Sequence, residues 1–454
     1  MFNSKHLWVA SVFALASASA LAAVSADEAK KLGTTLTPVG AEMAGNAEKT
    51  IPAYTGGMTT SPAGYEKGSG VRPDPFANEK PLFSITSANL AQYEAKLSAG
   101  TRELIKRHPT MRVDVYPTHR TAGYPKWVLD NTLKNATAVK TTDGGLGVEG
   151  TYAGVPFPIP KTGHEAMWNH LLRYSGHTYV AKYDSINVNA SGNAVLATTG
   201  EITVEYPYYN PKRTGQSEAK DVFFRTKIAY AAPARRAGEG LLLQDYINVL
   251  ENPRKAWQYL PGQRRVKMAP ELGYDTPNTA TAGTSTYDDS YVFSGGMDRF
   301  DWKLVGKKEL IVPYNAYKMA YAKDPYLVTT PKHLNPDFVR WELHRVWVVE
   351  ATLKEGKRHI YAKRTFYLDE DSWYALASDQ YDARGELYRA GFMAMTPFYE
   401  QPAPGSIAQF FYDFATGSYN VIGLVGAHNT GLKFIDPLPD RQWTPDALAG
   451  AGVR

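Results

Sequence analysis

His164, Glu165 and His170 are the residues whose types could do metal or acid–base chemistry, within the segment GVPFPIPKTGHEAMWNHLLRYSGH at 154–177. A zinc-protease helix carries two histidines four residues apart, so that both rings face one metal ion. Here the spacing is six residues, about 600° of helix, which places the two rings on nearly opposite faces. The spacing therefore excludes a metal shared by these histidines on one helix, and we assign no catalytic or metal-ligating residue.

The same segment carries the signals of a helix start. Thr162 and Glu165 match a capping box, in which the hydroxyl accepts from the Glu165 amide and the carboxylate reaches back. We expect a helix over 163–174, anchored by an apolar stripe that includes Trp168 and Leu171. On this interpretation the two histidines are structural, and their replacement by glutamine should have little effect.

The other titratable clusters show no catalytic or calcium-loop spacing, and neither a nucleophile elbow, a P-loop nor a dinucleotide-binding glycine motif occurs. The acidic clusters at 288–289, 298–301 and 369–371 lie at predicted turns, and we expect them to be solvated. Arg264 and Arg265 are candidates for a phosphate or lipid headgroup site, with an exposed strand edge as the alternative. A hydrolase whose carboxylates are brought together by strands is also left open.

Apolar alternation predicts short strands from about residue 111 onward. The clearest passage, 341–394, has four strand-like runs joined by short turns that contain glycine or aspartate. Such runs can pair only as an antiparallel meander. Helices are predicted at 87–97 and 101–107, where apolar residues recur at helical spacing.

These patterns predict a mainly β (α+β) protein with one large sheet and covering helices. Residues 27–110 form an arm with helices, whose Gly- and Pro-rich first part is extended over the body or partly flexible. Residues 111–454 form the β domain. The arm and the β domain are expected to be one structural unit.

Export is predicted by residues 1–26, in which Lys5 precedes an apolar run and small residues that suit cleavage after Ala22 or Ala26. Removing Lys5 from the 50 basic groups leaves 49, against 45 acidic groups, a balance that gives no argument for nucleic acid. The absence of cysteine excludes a lipid-modified cysteine, disulfides and thiolate metal sites. We therefore expect a periplasmic protein that is not lipidated.

Four long motifs resemble signatures of the DUF1329 family. They are LTPVGAEMAGNAEKTIPAYTGG, GVPFPIPKTGHEAMWNHLLRY, WQYLPGQRRVKMAPELGYDTPN and RFDWKLVGKKELIVPYNAY, and the tail WTPDALAGAGVR is similar to the family ending. The resemblance implies an exported Gram-negative protein, often described as an outer-membrane lipoprotein-sorting protein. It also implies an open, strongly curved antiparallel sheet of the LolA/LolB type that holds an apolar cavity.

Such a fold would make the protein a carrier or chaperone for a lipid or another hydrophobic ligand, without a cofactor. The expected helix at 163–174 would then act as a hinge or lid over the cavity. The resemblance further implies an outer-membrane β-barrel protein and an inner-membrane RND-type transporter as partners. The alternatives are an accessory or scaffold subunit of an envelope export complex, and a periplasmic hydrolase. Strand alternation suggests as cavity-lining residues Trp302, Leu304, Trp347, Val349 and Phe366.

Overall fold

The computed structural model describes residues 24–451, so that residues 1–23 of the predicted signal peptide lie outside the described range. The helices are α1 Ala26–Ala29, α2 Leu90–Tyr93, α3 Ala99–Arg107, α4 Lys126–Ala138, α5 Gly163–Leu171, α6 Tyr317–Ala320 and α7 Pro445–Ala451. The predicted helix at 87–97 is shorter than expected, since α2 gives way to a 3-10 turn over Glu94–Lys96. None of the described helices has the length and apolar character needed to cross a membrane.

Strands make up most of the regular structure. The first nine are β1 Phe83–Ile85, β2 Val113–Val115, β3 Lys140–Thr142, β4 Gly147–Glu149, β5 Thr178–Val188, β6 Ala194–Glu205, β7 Val222–Ala232, β8 Gly240–Tyr246 and β9 Lys255–Leu260. The second nine are β10 Arg265–Met268, β11 Phe300–Pro313, β12 Trp341–Leu353, β13 Lys363–Asp369, β14 Ala375–Tyr381, β15 Leu387–Met393, β16 Gln409–Asp413, β17 Ser418–Leu424 and β18 Leu432–Phe434.

Sixteen of these strands form one open sheet, and β3 pairs with β4 in a separate ribbon. Within residues 24–451, β1 and β10 end the order without pairing with each other. The one parallel contact among the described strands joins Trp341 of β12 to Val115 of β2. The strand order is β1-β2-β12-β13-β14-β15-β16-β17-β5-β6-β7-β8-β9-β10, with β11 beside β12 and β18 beside β5. The predicted open, antiparallel sheet is confirmed, and β12 to β15 form the predicted meander.

Helix α5 shows that the sheet is strongly curved. It packs against β11 and β12, and its Trp168 ring lies 6.1 Å from the Phe223 ring of β7. In the strand order, β12 and β7 are eight spacings apart, which is about 38 Å in a flat sheet. A helix of nine residues is only about 14 Å long. It can contact both strands only because the sheet bends around it, and α5 therefore lies on the concave face.

The N-terminal arm follows the body over most of its length. The Trp373 indole donates to the Val39 carbonyl at 2.9 Å, and Arg345 donates to the Ala44 carbonyl at 2.8 Å. Further along the arm, the buried guanidinium of Arg72 pairs with Glu400. These bonds satisfy arm carbonyls and an arm charge with groups of the β domain, so the arm and the sheet share one core.

Candidate ligand-binding cavity

The 31 residues at 269–299, between β10 and β11, cross the concave face, and we call them the crossing segment. Thr284 donates to Asn187 of β5 at 2.9 Å, and the Tyr291 amide donates to Gln409 of β16 at 2.5 Å. Further on, Asp288 pairs with Arg364 of β13 at 2.8 Å. These contacts reach strands from both halves of the sheet, so the crossing segment closes the concave face as a second layer.

An ion-paired cluster fixes the crossing segment to β13. The Arg364 guanidinium bonds Asp288 and Asp289, each at 2.8 Å, and Tyr361 donates to Asp289 at 2.7 Å. Burial alone would raise the pKa of Asp288, but the charge of Arg364 and a hydrogen bond from His359 hold it well below its ordinary value. We call this cluster the clasp.

The prediction that the acidic clusters are solvated turns is wrong for two of the three. Residues 288–289 and 369–371 do lie at turns, but their side chains are buried. Each cluster has an arginine partner supplied by a distant part of the chain, and that partner compensates the cost of burying the carboxylates. In the third cluster, Asp301 is exposed.

A cavity of about 90 Å³ lies between the crossing segment and strands of the other half of the sheet. Ile202, Ile228 and Leu241 are register partners across β6, β7 and β8, so their side chains form one row on the concave face. Thr226 and Leu243 form part of the next row. The apolar lining residues are Ile202, Phe224, Ile228, Leu241, Leu243, Ala280, Ile407 and Ile422.

Ten of the 19 residues that line the cavity carry a polar side chain, although most of the wall surface is apolar. Arg254 makes two bonds to Asp245, both at 2.7 Å, and also donates to Ser294 of the crossing segment. Its charge is therefore neutralised within the wall. The remaining polar lining comes mainly from hydroxyls, including those of Tyr183 and Tyr287. A mainly apolar surface with polar groups at fixed positions is the usual composition of a small-molecule site.

The five predicted cavity-lining residues lie elsewhere, around β11 to β13. Trp302 stacks on Phe366 with ring centroids 5.7 Å apart, and Phe293 of the crossing segment packs against both rings. Val349 is fully buried, whereas Leu304 and Trp347 are half-buried. None of these five side chains lines the cavity. A ligand could reach Trp302 and Phe366 only if Phe293 of the crossing segment moved, and the role of all five residues in binding stays a prediction.

Helix α5 has the predicted start but a different position from the predicted lid. The Thr162 hydroxyl accepts from the Glu165 amide at 3.2 Å. The Glu165 carboxylate accepts from the Lys161 amide at 2.6 Å instead of closing a box with Thr162. Trp168 and Leu171 are buried, as is every α5 residue except His164. Because no broad face of α5 is exposed, it is a core helix, and the crossing segment is the element that covers the cavity.

The two histidines of α5 point to different surroundings. His170 is fully buried; its Nε2 lies 2.9 Å from the Phe293 carbonyl, and its Nδ1 accepts from the Ala375 amide at 3.0 Å. Burial lowers the pKa of His170 to about 3 and that of His164 to about 4. His170 is therefore a neutral bridge between the helix and two other elements, and its replacement should affect stability, contrary to the sequence-based expectation.

Arg264 and Arg265 lie at the tight connection between β9 and β10, near the edge of the sheet. Both are exposed, and Arg264 has a left-handed backbone with φ of 47°. Neither lines the cavity. Their position suits the exposed-edge alternative, and a headgroup role for them stays a prediction.

His344, Asp369 and Asp371 place possible metal-ligand atoms within 4.8 Å of one another. However, Asp371 already accepts two bonds from Arg120, at 2.8 and 2.7 Å. The guanidinium would repel a cation at this point. Arg120 also donates to the Glu42 carbonyl of the arm at 2.8 Å. This arrangement holds the arm on the sheet, and we assign it a structural role.

Comparison with known proteins identifies relatives over most of the chain. A family model described as a protein of unknown function, DUF1329, matches residues 84–449. An uncharacterized protein of Pseudomonas aeruginosa is 42% identical over 439 residues, which cover 96% of this chain and 95% of that protein.

Two solved structures align with lower similarity. A domain described as an outer-membrane lipoprotein-sorting protein, from Vibrio parahaemolyticus, aligns over 63% of this chain and 97% of its own, with 15% identity and a TM-score of 0.43. A LolA superfamily protein from Nitrosomonas europaea aligns over 63% of this chain and 100% of its own, with 11% identity and a TM-score of 0.37. Both TM-scores are below 0.5, so the description of the fold rests on the strand pairings of this chain and not on these alignments.

Proposed function

The chain belongs to the DUF1329 family, and we propose that it is a periplasmic carrier or chaperone that binds a hydrophobic ligand in the cavity. The main support is the row of Ile202, Ile228 and Leu241 on the concave face, which lines a partly open apolar space under the crossing segment. Protein interiors are normally close-packed. An apolar space left open beneath a clasped second layer is therefore a feature that ligand binding explains.

The ligand must enlarge the cavity as it binds. A volume of about 90 Å³ is well below the roughly 300–1,000 Å³ of sites for drug-sized ligands. Ile202, Ile228 and Ile422 are only half-buried, so the wall at these residues is open to solvent. Uptake through this side would leave the clasp at Asp288 and Asp289 intact while the wall residues move apart.

The energetics favour a ligand with a long apolar chain. Each methylene group removed from water contributes about 0.8 kcal/mol, so a chain of twelve such groups gains about 10 kcal/mol before the costs of binding. Crossing the aqueous periplasm unprotected is unfavourable by a similar amount. We propose that the protein removes this cost in transport between envelope membranes. An outer-membrane β-barrel protein and an inner-membrane RND-type transporter would be its partners.

A cavity-filling substitution tests this proposal. Ala280 lines the cavity from the crossing segment, and Ala280→Leu adds three carbon atoms to that space. Ala282, two residues further on, is exposed and outside the lining, so Ala282→Leu is a matched control. We expect N-phenyl-1-naphthylamine, a neutral apolar dye, to become fluorescent on binding the wild type and the control.

We expect the dye's affinity for the Ala280→Leu variant to fall at least about fivefold, because the added atoms occupy the site. Circular dichroism spectra should verify that all three proteins are folded. Equal dye affinity in all three proteins would place binding outside the cavity, and failure of the wild type to bind would contradict the carrier proposal.

A further inference from the structure

Arg173, two residues past the end of α5, is a buried cation without an acidic partner in the part of the chain that the structure describes. Its guanidinium carbon lies 4.9 Å from the centre of the Tyr291 ring and 4.7 Å from that of Tyr374. The Nη1 atom donates to the His170 carbonyl at 2.7 Å, while the buried Nε atom has no hydrogen-bond partner among residues 24–451. Over the same range, no carboxylate oxygen lies within 4.0 Å of the guanidinium.

This environment leaves a charge to be compensated. Two aromatic faces stabilise a cation by about 2 kcal/mol each when water is excluded, but they supply no net negative charge. A buried ion without a counterion costs several kcal/mol. By contrast, Arg254 and Arg364, which are also buried, both contact carboxylates. Arg173 therefore has the features of a group whose partner is not part of the protein.

Among the described residues, a second buried polar group near Arg173 also lacks a hydrogen-bond partner. The Tyr206 hydroxyl is buried and makes no hydrogen bond within the part of the chain that the structure describes. Its ring packs 5.3 Å from that of Phe224, a cavity-lining residue. The Phe224 ring in turn lies 5.9 Å from the ring of Tyr291, which contacts Arg173. An unpaired N–H and an unpaired O–H thus lie near one end of the cavity, and both can donate to an anion.

Tyr291 separates these donors from the cavity. Its ring contacts the guanidinium of Arg173 and also lines the cavity. Tyr291 and Val292 have φ angles of 57° and 69°, the left-handed region, which is unusual for any residue but glycine and a clear outlier for a β-branched one. Strain of this kind persists where the surroundings impose it and is common at ligand sites. A change at this turn would open the cavity toward Arg173.

Resting on the carrier function proposed above, we infer that the ligand is an amphiphile with an oxyanion head, and that Arg173 binds this head. The apolar chain of the ligand lies along the row of Ile202 and Ile228, and the Tyr291 side chain moves aside to admit the head. The Nε edge of Arg173 donates to one oxygen, as in carboxylate and phosphate complexes. The Tyr206 hydroxyl donates to the other.

Three ligands with sixteen carbon atoms each test the inference: palmitate, hexadecyl phosphate and 1-hexadecanol. The affinity of each ligand is measured by its displacement of N-phenyl-1-naphthylamine from three proteins: the wild type, Arg173→Met and Tyr206→Phe. We expect the wild type to bind at least one of the two anions about tenfold or more tightly than the alcohol, since a hydrogen bond to a charged group strengthens binding by this order. The relative affinity of palmitate and hexadecyl phosphate identifies the head.

In Arg173→Met we expect the preference for the anion to vanish while the affinity for the alcohol is kept. In Tyr206→Phe, which removes one oxygen atom and tests the site if Arg173→Met does not fold, the preference should fall about threefold or more. Equal affinities of the wild type for all three ligands would overturn the inference but leave the carrier function standing. Failure of the wild type to bind the dye or any of the ligands would overturn both.

Discussion

The two halves of the concave face bury arginines in opposite ways. Around β12 to β15, Arg364 is surrounded by Asp288, Asp289 and packed aromatic rings, and its charges are paired. Arg173, in the chain between α5 and β5, is enclosed by Tyr291 of the crossing segment and Tyr374 directly before β14, without a carboxylate within salt-bridge distance in residues 24–451. The charge of Arg364 is therefore paired without a ligand, whereas the side of the concave face with Arg173 and the cavity leaves both a charge and an apolar space to be filled.

This difference separates the structural part of the protein from its candidate functional part. Buried ion pairs hold the crossing segment and the arm on β12 and β13. If either of them moved away from these strands, several ion pairs and hydrogen bonds would be lost at once. The cavity lies where the same crossing segment makes fewer charged contacts. A carrier needs both properties, since the sheet must stay folded while its ligand site is alternately empty and filled.

Trp168→Ala should have the largest effect, because α5 is the element that contacts both halves. The indole is fully buried, and its Nε1 donates to the Gly145 carbonyl at 2.8 Å. Losing a large buried ring costs about 3–5 kcal/mol, and the unpaired carbonyl adds to that cost. The free energy of unfolding in urea measures the effect. A loss below about 1 kcal/mol would show that α5 is not a central packing element.

Arg364→Met and Arg173→Met test the comparison itself. Removing Arg364 leaves Asp288 and Asp289 buried without their cation and should lower the free energy of unfolding by about 3–5 kcal/mol. Removing Arg173 relieves an unpaired buried charge, and without ligand the protein should be as stable as the wild type or more so. Equal destabilisation by the two substitutions would contradict the distinction between the two halves.

His170→Gln should have an intermediate effect of about 1–3 kcal/mol, because the Ala375 amide loses its acceptor. Burial lowers the pKa of His170 from 6.5 to about 3, so the unfolded chain binds the proton more readily. Its contribution to stability is full above pH 6.5 and is lost as the pH falls toward 3, by up to about 1.4 kcal/mol per pH unit.

The variant should therefore lose less stability than the wild type between pH 6.5 and 4.5, which urea unfolding at several pH values measures. At neutral pH, His164→Gln is the control for the lost hydrogen bond, since this side chain is only partly buried and should change the free energy of unfolding little. Burial lowers the pKa of His164 as well, to about 4, so its replacement should also flatten the pH profile. Parallel pH profiles for the wild type and His170→Gln would show that this imidazole is not kept neutral by burial.

The smallest effect is expected for the double substitution Arg264→Ala and Arg265→Ala. Both side chains are exposed at the edge of the sheet, where substitutions change stability by about 0.5 kcal/mol or less. Dye displacement by palmitate should also be unchanged. A clear loss of ligand affinity would support the headgroup role predicted from the sequence and would weaken the assignment of that role to Arg173.

The features that depend on residues close together in the sequence could be predicted from it. The meander at 341–394 follows from strand length and turn residues, and the start of α5 follows from Thr162 and the stripe behind it. The clusters at 288–289 and 369–371 were placed at turns for the same reason. Their burial could not be predicted, because it depends on arginines from distant strands; Arg364 is 76 residues from Asp288.

The sequence predicts the candidate site less well than it predicts the fold. Alternation in β6, β7 and β8 marks two faces for each strand but does not indicate which face an irregular segment covers. Residues 269–299 have no periodic pattern that would place them across the sheet. In the sequence, Arg173 is distinguished only as a charged residue at the end of an apolar helix. Its lack of a partner is a property of the whole structure.

The central claim is that the unfilled half holds an amphiphile with an oxyanion head. Its most direct test is native mass spectrometry of the full chain, produced with its own residues 1–26 in a Gram-negative host and purified without detergent, followed by identification of the extracted molecule. The account predicts bound molecules of one class, each with a long apolar chain and a carboxylate or phosphate, and their loss in Arg173→Met. A wild-type protein that is repeatedly empty, or that carries only neutral or cationic molecules, would contradict it.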